Sequence, residues 1–195
     1  RGKSGIIYCA TRKNVDKLCN LLRADGHAAA RYHAGLDEAE RRTAQDDFQF
    51  DRAQVMVATN AFGMGIDKSN VSYVFHYNMP KNLESYYQEA GRAGRDGEKA
   101  ECILLYARQD VMLGRWMIEH SDVNPELTAT QRSQLLEKQL DRLKVMTFYA
   151  TGRSCLRRYI LNYFGEAADR RCGNCSVCNG LSDAPARQQV IVRLA

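Results

Sequence analysis

Residues 2–10 read GKSGIIYCA, and the fold turns on how Gly2, Lys3 and Ser4 are read. The triplet has the ending of a phosphate-binding P-loop. Such a loop needs a strand before its glycines and a helix directly after the Ser, so that helix-start N–H groups face the phosphates. Here the triplet runs straight into GIIYCA, whose apolar, β-branched and aromatic residues have strand character, and the motif's first glycine would fall before residue 1. Gly2 to Ser4 therefore read as a linker entering the first strand, and no self-contained nucleotide site is expected there.

The same short apolar pattern recurs in AAARYH (28–33), VMVATN (55–60), VSYVFHYN (71–78) and AECILLYA (100–107), each of a length that suits a buried strand. Amphipathic stretches separate most of them. From Thr11 to Asp25, Val15, Leu18, Cys19 and Leu22 fall on one helical face, and Gly26 suits a left-handed C-terminal cap. LDEAERRTAQDDFQ (36–49) predicts a second helix, and NLESYYQEA (82–90), after Pro80 and with Asn82 as N-cap, a third. Strands alternating with helices predict an α/β fold: a parallel sheet with helices on both faces and functional loops at the strand C-terminal ends.

After about Asp110 the pattern becomes helical, with a boundary expected between Asp122 and Thr128 around Pro125. Residues 128–150 predict one amphipathic helix. Leu156, Tyr159, Ile160, Tyr163 and Phe164 predict a second with an aromatic face, packed antiparallel on the first. The expected division is residues 1–122, then a small helical domain over 123–180, then 181–195 as a linker or the start of something truncated.

Charged residues make up 26% of the chain, no long stretch lacks them, and no secretory pattern is present, so an intracellular-type chain with no membrane partner is expected. Lys and Arg exceed Asp and Glu by 28 to 23, a mildly basic balance compatible with phosphates. Seven cysteines, an odd number with three clustered in RRCGNCSVCNG, argue against a disulfide framework and for a metal site. Cys172, Cys175 and Cys178 are spaced two residues apart, and sixteen residues separate Cys155 from Cys172. Four thiolates suit a closed, structural zinc site, with Gly173 allowing the turn; an iron–sulfur cluster is the rival. Cys9, Cys19 and Cys102 sit in core patterns and read as small buried hydrophobes.

The segment from Gln88 to Gly97, QEAGRAGRDG, carries Arg92 and Arg95 three apart, each preceded by glycine. A glycine-rich turn with solvated charges is the plain reading; two projecting guanidinium groups that grip phosphates is the sharper one. With RGKSGIIYC, YHAGL, ATNAFGMGIDK, QEAGRAGRDG, NYFGE and the spaced cysteines in place, the chain closely resembles the second RecA-like lobe and zinc-binding domain of RecQ-family DNA helicases, most like the bacterial members.

That resemblance implies a RecA-like sheet followed by a small helical zinc-binding domain, with ATP and Mg2+ held between this lobe and a first lobe carrying the true P-loop. It assigns Arg95 as arginine finger, Arg92 as a second phosphate or coupling contact, and Gln88 as a sensor. Gly65 and Asp67 would approach the nucleotide. Thr11, Arg12, Thr59 and Asn60 would line a groove for single-stranded DNA, with Thr11 equally able to cap a helix; His33 would be either a DNA-side or a satisfied structural histidine. Arg157, Arg158, Arg170 and Arg171 would be either DNA contacts or a solvated face. The implied activity is 3′-to-5′ unwinding of duplex DNA in repair and recombination, in the cytoplasm at the nucleoid, with residues 181–195 opening a winged-helix domain. The alternative is a DNA-binding or scaffold module without hydrolysis.

Overall fold

A computed structural model describes residues 3–63, 68–121, 124–180 and, for the backbone, 188–192. Strand β1 (Ser4–Tyr8) leads into α1 (Arg12–Ala24), β2 (Ala29–Tyr32), α2 (Glu38–Gln49), β3 (Val55–Ala58), β4 (Val71–His76), α3 (Leu83–Ala90) and β5 (Glu101–Tyr106). Helices α4 (Arg108–Glu119), α5 (Ala129–Thr151) and α6 (Leu156–Tyr163) follow, then β6 (Gln188–Val192). The sheet order is β2-β3-β1-β4-β5-β6, with the first five strands parallel. Every strand and helix expected from the patterns above forms.

Alternation along the strands explains the layers. Ile7, Cys9, Val55, Val57 and Ala29 form one cluster with Val15 and Cys19 of α1. Their neighbours Ile6, Tyr8, Met56, Ala58 and Ala30 point the other way, into a second cluster with Phe48 of α2 and Leu83 and Tyr86 of α3. Helix α1 ends as Gly26 predicted: at φ +84° it donates to Arg23 O, and His27 N–H donates to Leu22 O at 2.9 Å, a Schellman closure.

Ser4 is already in the strand rather than a linker. It is 2% exposed, its hydroxyl donating to Asp51 Oδ1 at 3.2 Å. A strand, not a helix, follows Lys3, so the P-loop reading fails on geometry.

The larger cluster does not stop at the boundary expected near Asp122. It continues through Leu143, Met146 and Tyr149 of α5 to Leu156 and Ile160 of α6 and Cys175. The helical region docks on α3: Tyr163 Oη donates to Glu84 Oε1 at 2.8 Å, and the rings of Tyr86 and Tyr149 lie 5.2 Å apart. Helices α5 and α6 fold back on each other, with Tyr159 Oη donating to Val145 O at 3.1 Å.

Part of the segment expected as linker or further domain is a strand. Residues 188–192 pair antiparallel with β5, Ile103 opposite Ile191, because β5 would otherwise present an open row of N–H and C=O groups. Among the described residues, no helix is long and apolar enough to cross a membrane.

Candidate functional site

The sheet order sets the first part of the site. From β1 the chain crosses to β2 on one side, and from β3 to β4 on the other, so a crevice opens at the C-terminal ends of β1 and β4. A cavity of about 410 Å³ lies there, lined by Tyr8, Asn60, Asn78, Lys81, Gln139 and Arg142 among others. Its floor is cross-braced. Asn78 Oδ1 accepts from Ala10 N–H (3.1 Å) and Asn14 Nδ2 (3.3 Å), Asn78 Nδ2 donates to Asp110 Oδ1 (2.9 Å), and Asp110 Oδ2 accepts from Met79 N–H (3.1 Å). Sequence reading passed over Asn78 and Asp110; the one local signal was a carboxylate in the first turn of α4, which favours the helix dipole wherever it occurs.

The residues assigned to a nucleic-acid groove occupy three neighbouring strand ends, in the order β2, β3, β1. Thr11 is the N-cap of α1, its hydroxyl accepting from Asn14 N–H at 3.2 Å. Arg12, exposed, folds over Gly35, where an added Cβ would stand 3.1 Å from its Cδ. Thr59 is buried and Asn60 exposed on the cavity rim. His33 is 5% exposed and committed on both sides: Nδ1 accepts from Gly35 N–H at 3.1 Å, which leaves Nε2–H to donate to Asp16 Oδ1 at 3.2 Å. Gly65 and Asp67 lie outside the described residues.

The arginine loop hangs from α3. Asn82 caps that helix by accepting from Ser85 N–H at 2.8 Å, and Gly91 closes it. Gln88 is exposed one turn before the loop. The two arginines differ. Arg92 is half-buried, its guanidinium seated on Gly63: a Cβ there would collide with Nη2 and lie 2.9 Å from Cζ, at a φ of +156°. Its Nε is buried without a hydrogen-bond partner among the described residues. Burial pushes the Tyr8 phenol well up, and the positive charge of Arg92 opposes that rise. Arg95 is exposed, with its Nε–H 3.4 Å from Gly91 O. Gly63, like Asn78 and Asp110, is not singled out by the sequence, since nothing in NAFGMG separates it from its neighbouring glycine.

Cys155, Cys172, Cys175 and Cys178 come together as their spacing predicted, with their Sγ atoms all within 4.8 Å of one another. Zn–S bonds of about 2.3 Å imply tetrahedral S–S edges of about 3.8 Å; Cys172 and Cys178 stand at 4.0 Å. Gly173 supplies the turn at φ +67°. Cys172 Sγ accepts from the N–H groups of Asn174 (3.4 Å) and Cys175 (3.3 Å), and Cys175 Sγ accepts from Cys178 N–H (3.5 Å). Burial raises the Cys175 thiol, whereas at Cys172 and Cys178 burial is outweighed by N–H and thiol contacts that lower them. The other cysteines behave as core hydrophobes: Cys9, Cys19 and Cys102 are buried, and burial pushes the thiols of Cys9 and Cys102 up to about 12.

A parallel sheet with a switch-point crevice and a glycine-arginine loop defines the C-terminal lobe of a RecA-like helicase, and residues 1–97 match the family described as "Helicase conserved C-terminal domain". Residues 108–179 match "RecQ zinc-binding". The chain belongs to the RecQ family of helicases. It is 46% identical over 178 residues to the ATP-dependent DNA helicase RecQ of Bacillus subtilis, covering 91% of this chain and 29% of that protein. Against the protein of the same name from Haemophilus influenzae it is 43% identical, covering 100% of this chain and 31% of the relative. The chain thus spans about a third or less of the curated relatives it matches. Among solved structures, S. cerevisiae Dbp5 bound to RNA and ADP BeF3 aligns with a TM-score of 0.50 and 28% identity, over 71% of this chain and 38% of that one.

Proposed function

We propose that this chain is the C-terminal part of the motor core of an ATP-dependent 3′-to-5′ DNA helicase, working with a first RecA-like lobe. The observation that carries the reading is the arginine loop: Arg92 packed on Gly63 fixes the loop, while Arg95 stands exposed beyond it. In this reading Arg95 meets the γ-phosphoryl group of an ATP held with Mg2+ between the lobes, where a guanidinium stabilises developing negative charge. Arg92 supports the same phosphates or couples them to the sheet, and Gln88 senses the neighbouring lobe. Gly65 and Asp67 approach the nucleotide.

Single-stranded DNA runs over the strand ends, held on its phosphates by Arg12, Asn60 and the backbone near Thr59, with Thr11 shaping the turn as a cap. His33, with both ring nitrogens engaged inside the chain, contributes by shaping the β2 end. The cysteines hold a structural zinc. Four sulfurs within 4.8 Å leave room for a single ion rather than a multi-iron cluster, and with all four positions supplied by protein there is no open site for water.

The test is Arg95→Ala in the complete protein. DNA-stimulated ATP hydrolysis falls by about a thousandfold, while ATP and DNA binding stay near normal. A variant that keeps its rate removes the finger assignment and leaves a DNA-binding module as the better reading.

A further inference from the structure

Under the last turn of α3, His76 and Glu89 form a buried polar pair. His76 is 0% exposed and the Glu89 side chain 12%, with Nε2 2.8 Å from Glu89 Oε2. The imidazole is held between two tyrosines: it stacks on Tyr8 at 5.5 Å and 22°, and tilts against Tyr86 at 4.9 Å. Its Nδ1 has no hydrogen-bond partner among the described residues, so the hydrogen that matters is the one Nε2 donates to the carboxylate. A buried carboxylate that lost its donor would be costly, which makes this bond demanding about the relative placement of β4 and α3.

The pair stands where it can set the arginines. Glu89 precedes Arg92 by one helical turn, and Glu89 O accepts from Arg92 N–H at 3.3 Å. Further along, Ala93 N–H donates to Ala90 O (3.1 Å) and Gly94 N–H to Val71 O (2.9 Å). Strand β4 thus grips the arginine segment with both ends: its last residue, His76, through the Glu89 side chain, and its first, Val71, through Gly94. Tyr8 closes the circuit. Its ring stacks on His76, its hydroxyl donates to Phe62 O at 3.1 Å beside Gly63, and it feels the charge of Arg92.

We infer that His76 is a positioning residue for hydrolysis: by donating Nε2–H to Glu89 it orients the end of α3, so that Arg92 and Arg95 face the phosphates. The inference rests on the arginine-finger reading above. His76 is fully buried, and in this inference it acts through the loop rather than by contact with a ligand.

The experiment compares His76→Phe, which keeps a ring between the tyrosines but cannot donate, with Arg95→Ala, Glu89→Leu and Glu89→Gln in the complete helicase. ATP hydrolysis with saturating single-stranded DNA, zinc content and thermal midpoint are measured for each. In His76→Phe and Glu89→Leu, kcat falls by about tenfold to a hundredfold, the cost of a slightly misplaced group, with KM for ATP and zinc content unchanged. Glu89→Gln, whose amide oxygen still accepts from Nε2–H, recovers most of that loss. Wild-type kcat in His76→Phe beside a dead Arg95→Ala overturns the positioning role and leaves the finger intact. Losses that track zinc content or thermal midpoint in both His76→Phe and Glu89→Leu, or equal losses in Glu89→Gln and Glu89→Leu, overturn it as well. Full activity in Arg95→Ala removes the finger reading, and the positioning role with it.

Discussion

Individual contacts in this chain depend on what a residue lacks as much as on what it offers. Gly63 has no Cβ, and the Arg92 guanidinium fills the space. Gly63→Ala therefore forces Arg92 out of its seat, and the expected outcome in the complete protein is a drop in DNA-stimulated hydrolysis of about tenfold or more with an unchanged far-UV circular dichroism spectrum. Lys68 presents the opposite case, a cation only 4% exposed whose Nζ reaches Asp51 Oδ1 at 2.7 Å. The Lys68 hydrogen bond holds the Asp51 carboxyl below its ordinary value, against a smaller opposing effect of burial. A lowered folded-state value means that this stability is complete above the ordinary carboxylate range and is lost as pH falls through the lowered value. Asp51→Asn keeps a residue tolerant of the φ of +60° but removes the charge. With Asp51 more than half exposed, the expected cost is about 1–2 kcal/mol at neutral pH, well under that of breaking a fully buried pair. Urea unfolding at neutral and acid pH checks both parts: the difference from wild type shrinks in acid.

Helix α5 shows how one element can be stabilised by different means along its length. Its second half buries Leu143, Met146, Tyr149 and Ala150, whereas residues 129–138 are exposed. The exposed half is held at its start by a capping box, Thr128 Oγ1 accepting from Gln131 N–H (3.3 Å) and Gln131 Oε1 from Thr128 N–H (2.9 Å). Thr128→Ala is expected to lose about 1 kcal/mol, confined to the first turns, visible as faster amide exchange over residues 129–135 with no change near Tyr149. Helix α6 has no side-chain cap; Cys155 stands at its N-cap position and belongs to the thiol cluster instead. Cys175→Ser should accordingly lower bound zinc and solubility together, because a metal at the thiols would anchor the start of a short helix that has no side-chain cap. A variant that still holds one zinc per chain would exclude the four-cysteine site.

At the scale of the whole molecule, the helical region is braced directly against the helix that ends in the arginine loop. A file of rings runs from Tyr8 through His76, Tyr86 and Tyr149 to Tyr159, each centroid within 5.7 Å of the next. The ring file thus joins β1, β4 and α3 to α5 and α6 in one packed layer. The present chain supplies one wall of the proposed ATP site, so by itself it is expected to show no ATP turnover with or without single-stranded DNA, while the complete protein shows DNA-stimulated turnover. Turnover by the chain alone would mean that a phosphate site exists near Lys3 after all. DNA binding by the complete protein should weaken steeply with salt, by about 0.7 in log affinity per log salt for each single-strand phosphate contacted; a flat response would contradict the groove.

Local pattern was legible directly in the residues. The strands followed from short apolar runs, α1 and α3 from Thr11, Asn82 and Gly26, and the metal cluster from cysteine spacing, because periodicity, caps and turns are short-range. Which ends of those elements meet is a long-range property, settled by packing. Asn78 with Asp110, Lys68 with Asp51 and His76 with Glu89 are separated by 32, 17 and 13 residues, and no sequence pattern links the two members of any pair. The pairing of residues 188–192 with β5 and the seating of Arg92 on Gly63 were equally silent in the sequence. Each depends on the strand order β2-β3-β1-β4-β5, which brings distant segments into hydrogen-bonding range and is set by the packing of both sheet faces rather than by any single stretch of residues.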